Sequence, residues 1–285
     1  MLSTTACISF SSLRLRFTFP TPVELTDAFL ALQCEDDGPW DAEFEIRLLT
    51  EPLTFTQDPV PSRAGLLIYP TERGELRIYT PLIAEDGCQV ACFLCSGNHH
   101  ILYYPASRWE FYTSPLRCMH LICGEMLLLQ HDAMLLHSSV VMHQGRMVLF
   151  SGPSGAGKST QARLWVEHLG AEVINGDRCV IMQKEDGFYG GGSPWSGTSG
   201  IYRPEQAPIA GIVLIEQAPV NQIRRMGFDA FMPLFTQTII NSWDSRFMDR
   251  ITHLFEDLLA QVPVYHLQCR PDEEAVELVR HTLFD

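Results

Sequence analysis

The run Gly152-Pro153-Ser154-Gly155-Ala156-Gly157-Lys158-Ser159 joins permissive glycines to a cation and a hydroxyl at fixed spacing. It fits G-x-x-x-x-G-K-[ST], the Walker A or P-loop pattern. Glycines let the backbone curl so that successive N–H groups face phosphate oxygens. Lys158 supplies a flexible point charge for the β- and γ-phosphates, a task for which the bulky, planar guanidinium is ill suited. The Ser159 hydroxyl suits Mg²⁺, and Thr160 continues the stretch. The pattern therefore predicts a site for ATP or GTP with Mg²⁺. The chain has only two lysines, Lys158 and Lys184, and one of them stands in this motif.

A nucleotide site does not name a reaction. Phosphoryl transfer also needs an acid that holds Mg²⁺ or accepts the proton of the attacking hydroxyl. Two acids end apolar runs: Asp177 after Val173-Ile174-Asn175-Gly176, and Glu216 after Ile212-Val213-Leu214-Ile215. Each is a candidate, and each also fits a solvent-facing strand end. The stretch Gly190–Gly200 is rich in glycine, serine and threonine and reads as a mobile loop able to close over phosphates or acceptor. Arg203 beyond it is either a phosphate-neutralising group or half of a surface ion pair.

Taken together, His137, Gly152–Thr160 and Asp177-Arg178 resemble the catalytic core of the HPr kinase/phosphorylase family, over about residues 133–285. The likeness is closest to its shorter, divergent relatives, some of which accompany the genes of modified peptides such as lasso peptides. The resemblance implies an α/β fold: a P-loop kinase core of the HPr kinase/phosphoenolpyruvate carboxykinase-like type, with a β-rich N-terminal region. It implies transfer of the γ-phosphoryl group to a hydroxyl, on a serine of a peptide or protein or on a small molecule. Lys158, Asp177 and His137 would be catalytic, Gly152, Pro153, Ser154, Gly155, Ala156, Gly157, Lys158, Ser159 and Thr160 would hold nucleotide, and Ser159 and Asp177 would hold the metal. Gly176 stands where the family's first acid belongs, and Ser138 replaces the glycine that usually follows the histidine. The later glutamate-containing signature is not recognisable, Gly190–Gly200 lying in its region. The alternative is a nucleotide-binding accessory protein that acts through a partner without transferring phosphate.

Two regions must position these groups. Residues 1–115 read mostly as strands, at Phe44–Leu49, Gly65–Tyr69, Glu75–Thr80, Gln89–Leu94 and Ile101–Tyr104, with a hairpin turn at Glu72-Arg73-Gly74. Leu13, Leu15 and Phe17 alternate with Arg14 and Arg16 as another strand. Thr21 and Pro22 predict a helix start running to Leu32. Residues 116–285 form the expected nucleotide-binding domain. Helical spacing covers Leu116–Gln130, Ser159–Leu169, Asp229–Ile240, Arg246–Ala260 and Asp272–Leu283. Strands are expected at Leu135–Met142, Arg146–Phe150, Glu172–Ile174, Cys179–Gln183 and Gly211–Glu216.

A net charge of -14 argues against nucleic acid, because phosphate contacts need a basic face. No apolar run approaches the ~20 residues of a membrane helix, and the N-terminus lacks a secretory pattern, so the expected location is cytoplasmic, with no membrane partner. Homo-oligomerisation is left open. Nine cysteines, an odd count, read as reduced thiols. Cys88-x3-Cys92-x2-Cys95 has iron–sulfur spacing, but a strand over Gln89–Leu94 sends Cys92 and Cys95 to opposite faces. Adding His99 and His100 does not give regular zinc spacing. No metal is expected there.

Overall fold

The computed structural model describes residues 2–11, 13–112 and 118–285. The fold is mixed α/β with two sheets. The chain divides into two compact units, 1–127 with 241–245, and 128–240 with 246–285. The boundary expected at residue 115 lies outside the described residues, as do the first residues of the helix expected over 116–130.

In the first unit seven strands make one sheet: β1 (Leu2–Phe10), β2 (Leu13–Glu24), β3 (Ala42–Leu49), β4 (Leu66–Thr71), β5 (Gly74–Tyr79), β6 (Ala91–Cys95) and β7 (His99–Pro105), in the order β1-β2-β3-β7-β6-β5-β4. Strand alternation sets its buried face. Leu13, Leu15, Phe17 and Phe19 are buried, while Arg14 and Arg16 reach Asp37, Asp36 and Glu43 outside. Phe17 stacks on Phe44 with ring centroids 5.3 Å apart. The turn at Glu72-Arg73-Gly74 joins β4 to β5. Helices here are short: α1 (Asp27–Ala31), α2 (Trp109–Tyr112) and α3 (Gly124–Gln130), the last crossing into the second unit.

Of the helix expected from Pro22 to Leu32 only Asp27–Ala31 is helical, and Pro22, Val23 and Glu24 end β2 instead. Glu24 and Val23 still pair with Leu2 and Ser3, and the register shift between Ser3 and Thr5 absorbs Pro20 and Pro22. An irregularity is where a strand tolerates a residue without an N–H.

The second unit holds β8 (Ala133–His143), β9 (Arg146–Ser151), β10 (Glu172–Asn175), β11 (Arg178–Lys184), β12 (Gly187–Gly191), β13 (Gln206–Gln217), β14 (Gln222–Met226) and β15 (Val264–Cys269). Its helices are α4 (Lys158–Leu169), α5 (Phe231–Phe235), α6 (Ser245–Gln261) and α7 (Glu273–Phe284). Strands β9, β13 and β15 run parallel, with Phe150 opposite Val213 and Val213 opposite Tyr265. Met147, Val148, Leu149 and Phe150 are wholly buried, as expected of parallel strands covered on both faces. Helix α4 lays Trp165 on Phe150, ring centroids 5.7 Å apart, and shares a core with Val276 and Val279 of α7. Gly170, at φ 62°, ends α4 in the left-handed conformation.

Two further expectations are corrected. The helix expected over Asp229–Ile240 is only the five-residue α5 preceded by a short 3-10 turn, because the chain beyond it turns to β8, where Thr238 bridges Leu136. The Gly190–Gly200 stretch is not loop throughout. Gly190 and Gly191 lie in β12, and a Cβ at Gly190 would come within 2.8 Å of Met147 Sδ, so a side chain there would have to push the Met147 thioether aside. Residues 190–196 are buried, and only 197–200 are exposed.

Candidate functional site

Strand β9 delivers the chain into the glycine-rich turn, and α4 begins at Lys158. Gly152, Gly155 and Gly157 have φ of 143°, 81° and 108°, a region costly for other residues. A Cβ at Gly152 would sit 3.3 Å from both Ala156 Cβ and Ile215 O, so the turn closes tightly against the end of β13. Pro153, Ser154, Gly155 and Ser159 are exposed on the outer side, and Ala156, Gly157 and Thr160 are partly so. Gln217 Nε2 donates to Gly155 O at 2.7 Å and ties the tip to β13.

Lys158 is only 8% exposed. Its Nζ donates to Gly152 O at 2.9 Å and Pro153 O at 3.1 Å, folding the ammonium back over its own turn. Burial lowers its pKa, and the Asp177 carboxylate acts in the opposite sense.

Asp177 occupies the turn from β10 to β11, and Arg178 on β11 pairs with His137 on β8. His137 Nε2 lies 3.5 Å from Asp177 Oδ1, and Arg178 Nε lies 3.5 Å from Asp177 Oδ2. The other imidazole nitrogen, Nδ1, is 3.3 Å from Gln237 Oε1, and the His137 N–H donates to Gln237 O. The imidazole is held below its ordinary pKa, first by burial and then by the Lys158 charge, with Asp177 opposing. Thus Lys158, His137 and Asp177, drawn from three separate places in the sequence, share one electrostatic neighbourhood beside the glycine turn. Ser159 stands next to Lys158 on the first turn of α4.

The other candidates go elsewhere. Glu216 Oε2 lies 2.9 Å from His266 Nε2 and accepts from Gln268 Nε2 at 3.2 Å. Arg203 is paired with Glu172 at 2.7 Å. Cys88 and Cys92 are buried, and Cys95 is three residues beyond Cys92 on β6. His99 faces Glu45 at 3.4 Å, and burial pushes His100 down to about 4. Among the described residues no three His, Cys, Asp or Glu side chains are grouped to hold a metal ion.

Sequence reading missed Gln237 and Asn175. Gln237 lies 100 residues from the histidine it touches, and no local pattern marks it. Asn175 is completely buried, and its Oδ1 accepts from both Asp177 N and Arg178 N. An asparagine just before Gly-Asp is a turn signal that could have drawn notice.

Two cavities flank the glycine turn. One, of about 650 Å³, lies between the start of α4 and the ends of β13 and β15, lined by Gly157, Thr160, Gln161, Gln217, Arg270 and Pro271 among others. The second, of about 600 Å³, opens from Gly152 and Pro153 toward Arg224, Asp229, Gln237 and His266. Ligands of open α/β sheets bind beyond the carboxyl ends of the strands, where both cavities lie.

No protein-family model matches the sequence, and no curated protein matches it. Among solved structures, the Hpr(Ser) kinase/phosphatase from Coxiella burnetii is similar at 13% identity and a TM-score of 0.30, covering 52% of this chain and 86% of that one. This is weak structural relatedness. Among the described residues no helix is long and apolar enough to cross a membrane.

Proposed function

We propose that the chain is a kinase that transfers the γ-phosphoryl group of a Mg²⁺-bound nucleoside triphosphate to a hydroxyl. The observation that carries the reading is the meeting of Lys158, His137 and Asp177 at a turn whose glycines have left-handed backbones. The turn and Lys158 suit a triphosphate. Backbone N–H groups and one buried ammonium are its natural partners, and the N-terminus of the twelve-residue α4 adds favourable charge. Lys158 must release the Gly152 and Pro153 carbonyls to reach phosphate. Ser159 and Asp177 offer the hard oxygen donors that Mg²⁺ prefers, and the ion would neutralise phosphate charge.

Asp177 then orients the acceptor hydroxyl and takes its proton. His137, neutral near pH 7 because burial and Lys158 depress its pKa, fixes that carboxylate from one side. Arg178 approaches from the other side. The cavity running from Gly152 to His266 is the approach for the acceptor, and the cavity beside Gln161 leaves room for the nucleoside. The acceptor is a serine of a peptide or protein, or a small hydroxyl compound.

The test is incubation with γ-labelled ATP, Mg²⁺ and a panel of serine peptides and small alcohols, with GTP as competitor. Transfer to any hydroxyl above the rate of hydrolysis supports the kinase reading. Tight nucleotide binding with no transfer to any member of the panel favours the accessory-protein reading instead. Absence of nucleotide binding removes both.

A further inference from the structure

We infer that Asn175 is the positioning residue of the site, a clasp that fixes the carboxylate of Asp177 and ties it to the glycine-rich segment 193–200. The inference rests on the kinase reading above. Asn175 is fully buried in a polar role, and the donors and acceptors of its amide divide between two elements. Its oxygen accepts from Asp177 N at 2.9 Å and Arg178 N at 2.8 Å, which sets the turn that aims Asp177. Its nitrogen donates to Ser193 O at 2.9 Å and approaches Ser193 Oγ at 3.3 Å. Ser193 Oγ in turn donates to Arg178 O at 2.8 Å, so the two elements are cross-linked twice.

The segment so anchored lies directly on the acid. A Cβ at Gly197 would stand 2.9 Å from both Cβ and Cγ of Asp177. Gly197, with φ of 57°, is therefore glycine for two independent reasons. Asp177 is confined by His137 on one side and by this segment on another. With Gly176 in place of a second acid, a single carboxylate must be aimed without help from a neighbour. Buried amide bonds to backbone do this more rigidly than exposed ion pairs, because the amide has no competing water. Asn175 touches neither phosphate nor acceptor; its effect passes through Asp177.

That last point gives the test. Turnover of Mg-ATP, with water as acceptor, is measured for the native chain, Asn175→Ala, Asp177→Asn and the double variant. Residues that act as a unit are non-additive. Asn175→Ala is expected to lower turnover by roughly tenfold or more in the native background and by less than about twofold in the Asp177→Asn background. Amide hydrogen exchange checks folding and needs no activity: it should quicken at 177–178 and 193–197 while 158–169 stay as protected as in the native chain. Asn175→Asp keeps an acceptor oxygen for Asp177 N and Arg178 N but loses the donor to Ser193, so exchange should quicken over 193–197 alone.

An equal fold-loss in both backgrounds would overturn the inference, since Asn175 would then be acting on something other than Asp177. So would unchanged exchange over 193–197 in Asn175→Ala. If Asp177→Asn turns over ATP as fast as the native chain, Asp177 is not the base and the clasp falls with that assignment, while nucleotide binding and a base elsewhere are still open to test. If Asp177→Asn is slow yet Asn175→Ala is not, only the clasp is lost.

Discussion

Ser199 stands in the space that any side chain at position 176 would need. A Cβ built on Gly176 overlaps both Oγ and Cβ of Ser199, whose hydroxyl is fixed by donation to Ser196 O at 2.7 Å. The glycine at position 176 is thus a packing requirement of the segment that covers Asp177. Replacing Gly176 with Asp should not recreate an acid pair. It should displace residues 197–200 and destabilise the second unit by about 1–3 kcal/mol, the usual cost of overpacking. Thermal unfolding and amide exchange would check this. A variant as stable as the native chain, with faster phosphoryl transfer, would show that the segment yields readily and that a second acid is useful.

Lys158 should be essential for nucleotide and dispensable for folding. Its partners are two carbonyls of its own turn, the buried Gly152 O and the part-buried Pro153 O. A hydrogen bond involving a charged group contributes about 1.5–3 kcal/mol, and Lys158 is placed to make more than one to phosphate. Lys158→Ala should weaken Mg-ATP binding by at least roughly tenfold in calorimetry, with little change in melting temperature. Equal affinity in the two proteins would remove the glycine turn from the nucleotide site.

Acid should destabilise the first unit through His100. That imidazole is 4% exposed, packs on Phe44 at 5.2 Å and, among the described residues, has no hydrogen-bond partner on either nitrogen. Burial, with a smaller contribution from His99, lowers its pKa from 6.5 to about 4. The unfolded chain therefore binds a proton between those values that the folded chain refuses. The stabilisation from a neutral His100 is fully present above the unfolded pKa and lost as pH falls toward the folded one. At pH 5 the native chain should have lost about 2 kcal/mol relative to pH 7 from this group alone. His100→Phe should flatten the pH 7 to 5 dependence of unfolding. If the slope is the same in both proteins, another group carries the acid sensitivity.

How legible the site was depended on whether its parts were local. The glycine turn, its entering strand and its departing helix lie within one stretch, so motif and periodicity agree over Arg146–Leu169. Asp177 could be singled out as an acid ending an apolar run. The contact between His137 and Gln237 could not, because a single isolated bridge between Thr238 and Leu136, beyond the end of α5, brings them together. Nor could the role of Gly197, whose reason lies in the side chain of a residue twenty positions earlier. Proline misled at Pro22, where a bulge in the β1–β2 pair rather than a helix start accommodates it. Helical spacing misled after Asp229, where β8 offers Leu136 as a partner for Thr238 and Leu135 O accepts from the Thr238 hydroxyl. In each case a long-range hydrogen bond outweighed a local preference.

Asp177 should separate the two functional readings. Its carboxylate is half-buried, faces His137 and Arg178 at 3.5 Å, and is covered by Gly197. Asp177→Asn preserves the shape and removes the charge. If the carboxylate accepts the proton of the acceptor hydroxyl, turnover should fall by roughly 10²-fold or more while nucleotide affinity changes little. If it chiefly holds Mg²⁺, affinity should fall too, and added Mg²⁺ should partly restore both. A signature independent of turnover follows from the same geometry. Asp177, followed by the hydrogen bond to Gln237, raises the His137 pKa against burial and Lys158, so removing the Asp177 charge should move His137 further down. Titration of the His137 ring by NMR reads this directly in the nucleotide-free protein. A downward shift with turnover intact would leave the geometry standing and move the base elsewhere. Glu216 would then be the next acid to test, although Gln268 Nε2 donates to it and His266 Nε2 stands 2.9 Å away.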